Sequence, residues 1–237
     1  MIRVVLFGAC GRMGRMVMEE LTGNKEFLLV AGIESSSHPE LHKIVDRVKI
    51  LSDHDNLPEA DVWLDFSLPE PALFHADLAA QRGIPTVIAV TGFGPEQSDV
   101  LKAYSRRIAI LLAPNLSIGM GVMERLAAQA ATLLGSEYQA AIVETHHRGK
   151  KDAPSGSALR LSEILAATGQ NPEISSLRLG SVVGEHTIRF AGTDDELTIT
   201  HRAWSRRAFN RGVPHALRFA VNSRPGLYTL RDLYAAE

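Results

Sequence analysis

The sequence predicts an α/β fold in two parts: a doubly wound parallel sheet, followed by an α+β region built on an open mixed sheet. In the first half of the chain, short apolar runs typical of strands buried on both faces alternate with segments of helical periodicity. This alternation is the pattern of a parallel sheet with crossover helices. After Ser117 the pattern changes, because several strand-like segments follow one another with no helix between them.

The first part contains five apolar runs that predict strands, at residues 2–7, 27–33, 62–67, 85–90 and 108–113. Helices are predicted at residues 16–21, 70–82 and 95–107. The segment 39–56 is polar and irregular and receives no assignment. In such folds ligands bind at the carboxyl ends of the strands, so the loops that follow the strands are the first place to look for a site.

A glycine loop, Gly8-Ala9-Cys10-Gly11-Arg12-Met13-Gly14, follows the first strand and precedes a helix, which is the context of a dinucleotide-binding loop. Its spacing is Gly-x-x-Gly-x-x-Gly instead of the commoner Gly-x-Gly-x-x-Gly. The glycines still allow a tight turn and a close approach of the backbone to a pyrophosphate, and Arg12 adds a positive charge. Alone, such a loop is also compatible with an ordinary strand-to-helix turn.

The second strand strengthens the dinucleotide interpretation because it ends in Glu34, about 20 residues beyond the loop, where an acid binds the adenosine ribose. Three serines and His38 follow, and no arginine is present there to hold a 2′-phosphate. We therefore expect NADH in preference to NADPH. Two further strands are followed by loops that are expected to line the cofactor, although both loops also suit ordinary turns. The first loop contains Ala89, Val90 and Thr91, and the second contains Ala113, Pro114, Asn115 and Leu116.

The second part begins with a long apolar helix at residues 118–134 and a strand at 138–143. Further strands are predicted at residues 177–183, 185–191 and 197–204. Because no helix covers one face of this sheet, we expect an oligomer built on it. A helix at 213–221 and a short segment at 227–233 are expected to return to the first part. The predicted domains are therefore 1–116 with the tail 208–237, and 117–207.

The stretch from Glu144 to Ala158 is the most informative for chemistry, as a predicted strand-to-helix loop with two histidines, several cations and small hydroxyls. Pro154 suits the first turn of a helix, so Gly156 and Ser157 are expected at a helix N-terminus that attracts anions. With Lys150 nearby, the loop predicts a site for a carboxylate or phosphate, and His146 and His147 can exchange protons near neutral pH. Zinc is the competing interpretation, but adjacent histidines chelate awkwardly and no further ligand set accompanies them. We expect no metal.

Composition excludes several classes of protein. The formal net charge of −2 gives no basis for binding nucleic acid or an anionic membrane. No apolar run is long enough to span a bilayer, and the N-terminus lacks the pattern of a signal peptide. The single cysteine, Cys10, cannot form an internal disulfide. We therefore expect a cytoplasmic protein.

The whole chain resembles the 4-hydroxy-tetrahydrodipicolinate reductase family, also called the dihydrodipicolinate reductases, of the lysine and diaminopimelate pathway. The segment Glu144–Ala158 is similar to the family signature Glu-x-His-His-x-x-Lys-x-Asp-Ala-Pro-Ser-Gly-Thr-Ala. Other matching motifs are the glycine loop, Asp65-Phe66-Ser67, Thr91-Gly92-Phe93, Ala113-Pro114-Asn115, Gly184-Glu185-His186-Thr187 and Thr200-His201-Arg202-Ala203.

The resemblance implies a homotetrameric reductase that uses NADH or NADPH on a cyclic dicarboxylate and forms tetrahydrodipicolinate. It implies that His146 and Lys150 handle protons, that His147 contacts the substrate, and that Gly156 and Ser157 bind a substrate carboxylate. It places the cofactor against Gly8, Ala9, Cys10, Gly11, Arg12, Met13, Glu34, Ala89, Val90, Thr91, Ala113, Pro114, Asn115 and Leu116.

The chain departs from the family pattern at a few positions. Ala89-Val90-Thr91-Gly92 stands where the family has Gly-Thr-Thr-Gly, Ser157 replaces a threonine, and Leu116 replaces a larger side chain. Two other functions remain open at this point. A thioester-forming aldehyde dehydrogenase is disfavoured because the only thiol lies in the phosphate loop. A non-catalytic dinucleotide sensor is disfavoured by the proton-exchanging groups of the second loop.

Overall fold

The computed structural model describes residues 1–52 and 56–234, which form two compact units. The first unit comprises Met1–Leu116 and Asn210–Leu233, and the second comprises Ser117–Phe209 with Tyr234. The chain thus passes from one unit to the other after Leu116, after Phe209 and again after Leu233.

The first unit contains an eight-stranded sheet that is parallel except for one short edge strand. Its strands are β1 (Ile2–Phe7), β2 (Phe27–Glu34), β3 (Ile44–Val45), β4 (Val48–Ser52), β5 (Val62–Asp65), β6 (Thr86–Ile88), β7 (Ala109–Leu112) and, after the second unit, β12 (Gly226–Thr229). The spatial order is β12-β7-β6-β5-β1-β2-β4-β3, and only β3 runs antiparallel, to β4. Parallel central strands are buried on both faces, which explains their continuous apolar sequences.

The helices of the first unit are α1 (Arg12–Thr22), α2 (Pro69–Arg82), α3 (Pro95–Tyr104), α6 (Val213–Asn222) and α7 (Leu230–Leu233). Helix α1 buries Gly14, Val17, Met18 and Leu21, which lie on one helical face. Helix α2 likewise buries a face of small residues, and His75 is the one polar side chain in that stripe. The helices therefore cover the sheet through narrow apolar stripes.

The second unit contains the four-stranded mixed sheet β11-β10-β8-β9, formed by β8 (Gln139–His146), β9 (Glu173–Arg178), β10 (Gly184–Ala191) and β11 (Glu196–Ala203). Strands β10 and β11 pair antiparallel, β8 pairs antiparallel with β10, and β9 pairs parallel with β8. Helices α4 (Ile118–Leu134) and α5 (Gly156–Ala166) lie in the same unit. Alternate residues such as Ile142 and Ile188 are fully buried, whereas their neighbours are partly exposed, so one face of this sheet packs and the other is open.

The fold class predicted from the sequence is confirmed, but several details of the elements are wrong. The strand predicted at 177–183 is β9, which ends at Arg178; residue 180 is a glycine with φ of +51°, which suits a turn and not a strand. The unassigned segment 39–56 contains the hairpin β3–β4, and residues 53–55 of that segment lie outside the described part of the chain. The closing segment 227–233 divides into the end of β12 and the short helix α7.

Candidate active site

The glycine loop of the first unit is packed so closely that side chains larger than hydrogen are excluded at key positions. A Cβ at Gly14 would lie 2.2 Å from the carbonyl oxygen of Gly8, and one at Gly32 would lie 2.7 Å from the Cβ of Ala9. Gly8 itself has φ of +69°, and its N–H donates to the carbonyl of Ile33 at 2.9 Å. Among the described residues, no side chain caps the N-terminus of α1, which begins at Arg12. The loop therefore has the geometry of an anion site at a helix N-terminus.

Glu34 ends β2 and reaches this loop. One carboxylate oxygen accepts the N–H of Cys10 at 2.7 Å. The Cys10 sulfur lies 3.7 Å from Glu40, which also pairs with Arg15 at 2.9 Å. Burial, together with the charges of Glu34 and Glu40, raises the pKa of the Cys10 thiol to about 11. Cys10 is therefore a neutral thiol beside the predicted ribose position and not a reactive thiolate.

Cys10, Glu34 and His38 also form a group whose potential ligand atoms lie within 4.8 Å of one another. Two hydrogen bonds compete with coordination of a metal there. Glu34 accepts the Cys10 N–H, and Nδ1 of His38 accepts the N–H of Glu40 at 3.2 Å, so the neutral ring carries its proton on Nε2. The absence of a metal cofactor stays a prediction.

The loops after β6 and β7 lie at the carboxyl edge of the same sheet as the glycine loop. Ala89, Val90, Ala113 and Leu116 are buried, and the Ala89 N–H donates to the carbonyl of Asp65 at 2.8 Å. Thr91 and Pro114 are exposed and Asn115 is half-buried. The cofactor-lining residues predicted from the sequence thus belong to one unit and to one edge of its sheet.

A buried acid–histidine pair supports this edge of the sheet, and the sequence did not predict it. One carboxylate oxygen of Asp65 lies 2.7 Å from Nδ1 of His75, and the other accepts the N–H of Ser67 at 2.8 Å. The His75 ring stacks on Phe7 at 4.0 Å between centroids. Phe66, between Asp65 and Ser67, is in close contact with Gly8, since a Cβ on that glycine would lie 2.8 Å from the Phe66 carbonyl. The pair therefore holds the loop against which the glycine loop packs.

In the second unit, the predicted loop begins later than expected, because Glu144, Thr145 and His146 belong to β8. Glu144 and His146 are two residues apart in a strand, so their side chains share the buried face. Nδ1 of His146 contacts the Glu144 carboxylate, and Arg178 donates to the other Glu144 oxygen at 2.9 Å. Glu144 is fully buried and His146 is 8% exposed. Neither Glu144 nor Arg178 was among the predicted site residues. The only sequence signal for Glu144 was its charge and its i, i+2 spacing from His146, and no spacing marked Arg178, which is 34 residues from Glu144.

The pKa values in this cluster follow from burial and hydrogen bonding. Burial would raise the pKa of the Glu144 carboxyl, but the bonds from Arg178, Ser176 and His146 outweigh it and lower the pKa to about 2. Burial lowers the pKa of His146, and the nearby Glu144 opposes that change in part. At neutral pH the structure therefore holds an ionised Glu144 beside a predominantly neutral His146.

His147 and Lys150 lie in the turn after β8. The Lys150 N–H donates to the His147 carbonyl at 3.1 Å, and the Lys150 ammonium pairs with Asp152 at 2.8 Å. His147 and Lys150 are both half-buried. The turn therefore presents an ammonium group and an imidazole within four residues of His146.

Gly156 and Ser157 lie at the N-terminus of α5, as expected, but the helix begins at Gly156, so Pro154 precedes it instead of occupying its first turn. Ser155 is the N-cap residue, and its side-chain oxygen accepts the N–H of Ala158 at 3.3 Å. Gly156 is exposed, with open space where a Cβ would lie, and Ser157 is half-buried. First-turn N–H groups have no acceptor within a helix, so this end can accept a carboxylate of a ligand.

Two further histidines, His186 and His201, face each other across β10 and β11, in line with Glu144 on β8. His186 Nε2 lies 3.2 Å from the hydroxyl of the N-cap Ser155, and His201 Nε2 lies 3.2 Å from the hydroxyl of Ser117, the N-cap of α4. Burial lowers the pKa of both and brings that of His186 to about 3. These neutral imidazoles tie two helix N-termini to the sheet. In the sequence analysis both histidines appear only as parts of the family motifs.

The fold and these groups define a class of protein: a two-domain oxidoreductase that depends on a nicotinamide dinucleotide. Residues 2–116 match the sequence model described as "Dihydrodipicolinate reductase, N-terminus", and residues 119–234 match "Dihydrodipicolinate reductase, C-terminus". The 4-hydroxy-tetrahydrodipicolinate reductase of Nitrosomonas eutropha is 36% identical, with 98% of each chain covered. That of Rubrobacter xylanophilus is also 36% identical and covers 100% of this chain and 99% of its own.

Solved structures agree with the sequence matches. The dipicolinate-bound dihydrodipicolinate reductase from Paenisporosarcina sp. TG-14 is 25% identical and superposes with a TM-score of 0.80 over 97% of both chains. GenD2 from gentamicin A biosynthesis, in complex with NAD, shares the fold with a TM-score of 0.66 at 12% identity, over 98% of this chain and 90% of its own.

The chain therefore belongs to the dihydrodipicolinate reductase family. Its reaction is the NAD(P)H-dependent reduction of 4-hydroxy-tetrahydrodipicolinate, in the biosynthesis of lysine and diaminopimelate. The family, the fold class and the reaction predicted from the sequence are confirmed. In the described part of the chain, every helix is too short or too polar to cross a lipid bilayer.

The low pKa of His186 leads to a prediction about stability. An unfolded histidine titrates near 6.5, whereas folded His186 titrates near 3, so between these values the unfolded state binds a proton that the folded state does not. Acidification through this range therefore destabilises the fold. We expect the free energy of unfolding, measured in urea by far-UV circular dichroism, to fall between about pH 7 and about pH 4.

The variant His186→Gln removes the imidazole that takes up this proton in the unfolded state, so it should reduce the dependence of the unfolding free energy on pH. An unchanged dependence in His186→Gln would contradict the assignment.

Proposed function

We propose that the first unit holds the reduced dinucleotide and that the second unit holds the cyclic dicarboxylate substrate and supplies its proton. The observation that carries the second assignment is the grouping, within one unit, of the Lys150 ammonium, the His146 imidazole and the N-terminus of α5. Lys150 lies near enough to His146 to lower the pKa of its ring, and that ring lies 5.2 Å from His186, which contacts the α5 N-cap Ser155. The Paenisporosarcina relative, solved with the cyclic dicarboxylate dipicolinate, supports this class of substrate. When bound, the dinucleotide supplies the hydride, and the residues of the chain bind, orient and protonate.

The proposed substrate contacts follow from charge. A dicarboxylate needs a cation and N–H donors, and charge-assisted hydrogen bonds are the stronger kind. We assign one carboxylate to the N-terminus of α5 at Gly156 and Ser157. We assign His147, half-buried in the turn after β8, to a further polar contact with the substrate.

We propose Lys150 as the principal proton donor near neutral pH. His146 donates its Nδ1 proton to Glu144, and its lowered pKa leaves only a small fraction of imidazolium at that pH. Its Nε2 then accepts a hydrogen bond from substrate or water and orients it. Lys150 lies in the adjoining turn and can deliver the proton that must follow the hydride.

For the cofactor, we propose contacts of the pyrophosphate with Gly8, Ala9, Cys10, Gly11, Arg12 and Met13, of the ribose with Glu34, and of the nicotinamide with the loops 89–91 and 113–116. We also propose a preference for NADH. Glu34 repels a 2′-phosphate, and the segment after it contains serines and no arginine.

The open face of the second sheet supports a proposal of a homotetramer. The partly exposed side chains of this face include Val143, on a strand paired on both sides, and Thr187 opposite it.

We expect sedimentation velocity at micromolar concentration to give the mass of four chains. We expect Val143→Asp to lower the measured mass because a charge would be buried at the interface. A monomeric wild-type enzyme would rule the proposal out.

A test of the proton donor uses Lys150→Ala. We expect kcat to fall by about 10²–10⁴-fold, the usual contribution of a positioned acid, while the affinity for NADH stays unchanged. The assay is the loss of NADH absorbance with freshly prepared substrate, and fluorescence titration gives cofactor binding. The adjacent, exposed Lys151→Ala is the matched control and should keep wild-type turnover. Normal turnover in Lys150→Ala, or an equal loss in both variants, would remove Lys150 from the mechanism.

The cofactor assignment is tested with Glu34→Ala. We expect NADH to bind roughly ten- to a hundredfold more weakly, because the hydrogen bonds of a charged carboxylate to the ribose are lost, with little change in kcat at saturation. NADPH binding should change less or improve. The control is Glu96→Ala, an exposed acid at the start of α3 in the same unit. Tighter binding of NADPH than NADH by the wild-type enzyme would overturn the stated preference.

A further inference from the structure

The carboxylate of Glu144 has no contact with solvent, and each of its oxygens is engaged. One oxygen accepts the bond from His146, and the other accepts from Arg178 at 2.9 Å. Ser176, on β9, also donates to this carboxylate. The surrounding sheet face is otherwise built from side chains such as Ile142, which is fully buried.

An ion at this position is not explained by stability alone. Buried ion pairs are frequently no more stable than well-packed apolar residues of similar volume, because desolvation offsets the attraction between the charges. An apolar side chain at residue 144 would continue the packed face formed by Ala140 and Ile142. The charge therefore points to a role in orienting the groups that it contacts.

The first such group is the His146 ring. Because Nδ1 donates to Glu144, the neutral ring keeps its proton on Nδ1 and leaves Nε2 as an acceptor. The Nε2 side of the ring lies against Gly184, where a Cβ would be 3.1 Å from Nε2. The ring is thus fixed on one side by a carboxylate, and a glycine on β10 leaves room for it on the other.

The second group is the turn that carries Lys150. The same Arg178 nitrogen that donates to Glu144 also donates to the carbonyl of Asp152, and the Asp152 carboxylate pairs with Lys150. Arg178 therefore links the strand that ends in His146 to the turn that contains Lys150. One guanidinium connects the two residues assigned to proton handling.

We propose that Glu144 and Arg178 form a positioning pair that fixes the tautomer of His146 and holds His146 and Lys150 in register with each other. This inference rests on the roles proposed above for those two residues. Glu144 and Arg178 touch neither substrate nor cofactor in this assignment; they act through the side chain and the turn that they hold.

The first test is spectroscopic and independent of activity. Long-range ¹H–¹⁵N correlation spectra of ¹⁵N-histidine-labelled protein report which ring nitrogen carries the proton. In the wild-type protein we expect His146 to be neutral at pH 7 with its proton on Nδ1. In Glu144→Gln we expect a mixture of tautomers. Asp65→Asn, which alters the buried acid–histidine pair of the first unit, is the control and should leave the His146 signals unchanged.

The pH dependence gives a second readout. The charged or titratable groups around His146 are Glu144 on its own strand, Arg178 on β9, His186 on β10 and Lys150 in the following turn. Glu144 alone among these raises the His146 pKa, so Glu144→Gln should lower that pKa further. An unchanged titration of His146 would overturn the inference.

The kinetic test separates positioning from folding. We expect kcat of Glu144→Gln to fall by about 10–100-fold, as when residues that orient a functional histidine are removed, with the KM for NADH unchanged. Glu144→Gln leaves the charge of Arg178 without its buried partner, and Arg178→Gln leaves the charge of Glu144 without its own, so each single variant can destabilise the fold. The double variant Glu144→Gln/Arg178→Gln removes both charges, so we expect it to recover stability in urea while kcat stays low. Recovery of kcat together with stability would show a purely structural role and overturn the inference.

The outcomes also distinguish this inference from the proposed function. If His146→Gln keeps full activity, the role proposed for His146 fails. If His146→Gln loses activity while Glu144→Gln keeps both wild-type kcat and the wild-type tautomer, the positioning role alone fails.

Discussion

The buried anion of Glu144 is the constraint on which the site of the second unit depends. An ionised carboxylate in an apolar sheet face must be surrounded by donors, and here they come from His146, Arg178 and Ser176. Strand β9 supplies two of these donors because it pairs parallel to β8 with Arg178 opposite His146. A slip of one residue in that register would turn Arg178 to the open face and leave the anion unpaired. The hydrogen bonds that hold the ionised Glu144 therefore depend on the register of the sheet.

The first unit uses a related solution for a different purpose. Asp65, at the end of β5, is fully buried and pairs with His75 on α2, and its other oxygen fixes the loop at Ser67. That loop is the surface against which Gly8 packs. Both units thus hold a functional loop at the end of a strand with a buried carboxylate and an imidazole. In the first unit the pair supports the backbone for which we propose a contact with the cofactor, and in the second we propose that it orients a side chain.

Local patterns predicted the elements well where a single periodicity dominates, and failed where a tertiary contact decides. The buried strands β1, β2, β5, β6 and β7 follow from continuous apolar runs, and α2 lies where the helix at 70–82 was predicted. The predicted position of β9 was wrong because the residues of this strand alternate without a strong apolar signal. One face of the strand is open, and its inner face carries Ser176 and Arg178. Pro154 was assigned to the first turn of α5, but the hydroxyl of Ser155 caps the helix one residue later.

The sequence by itself determined the two-part architecture, the glycine loop with Glu34 at the expected spacing, and the family to which the chain belongs. These depend on residue type and spacing within short segments, where steric limits and hydrophobic periodicity act locally. Only the tertiary structure revealed the bonds of Arg178 to Glu144 and Asp152, the Asp65–His75 pair and the buried histidines tied to helix caps. The partners in these contacts lie up to 84 residues apart in sequence, as in the contact of His201 with Ser117, and register and packing bring them together. The protonation states of those groups likewise follow from burial and from partners that no local pattern specifies.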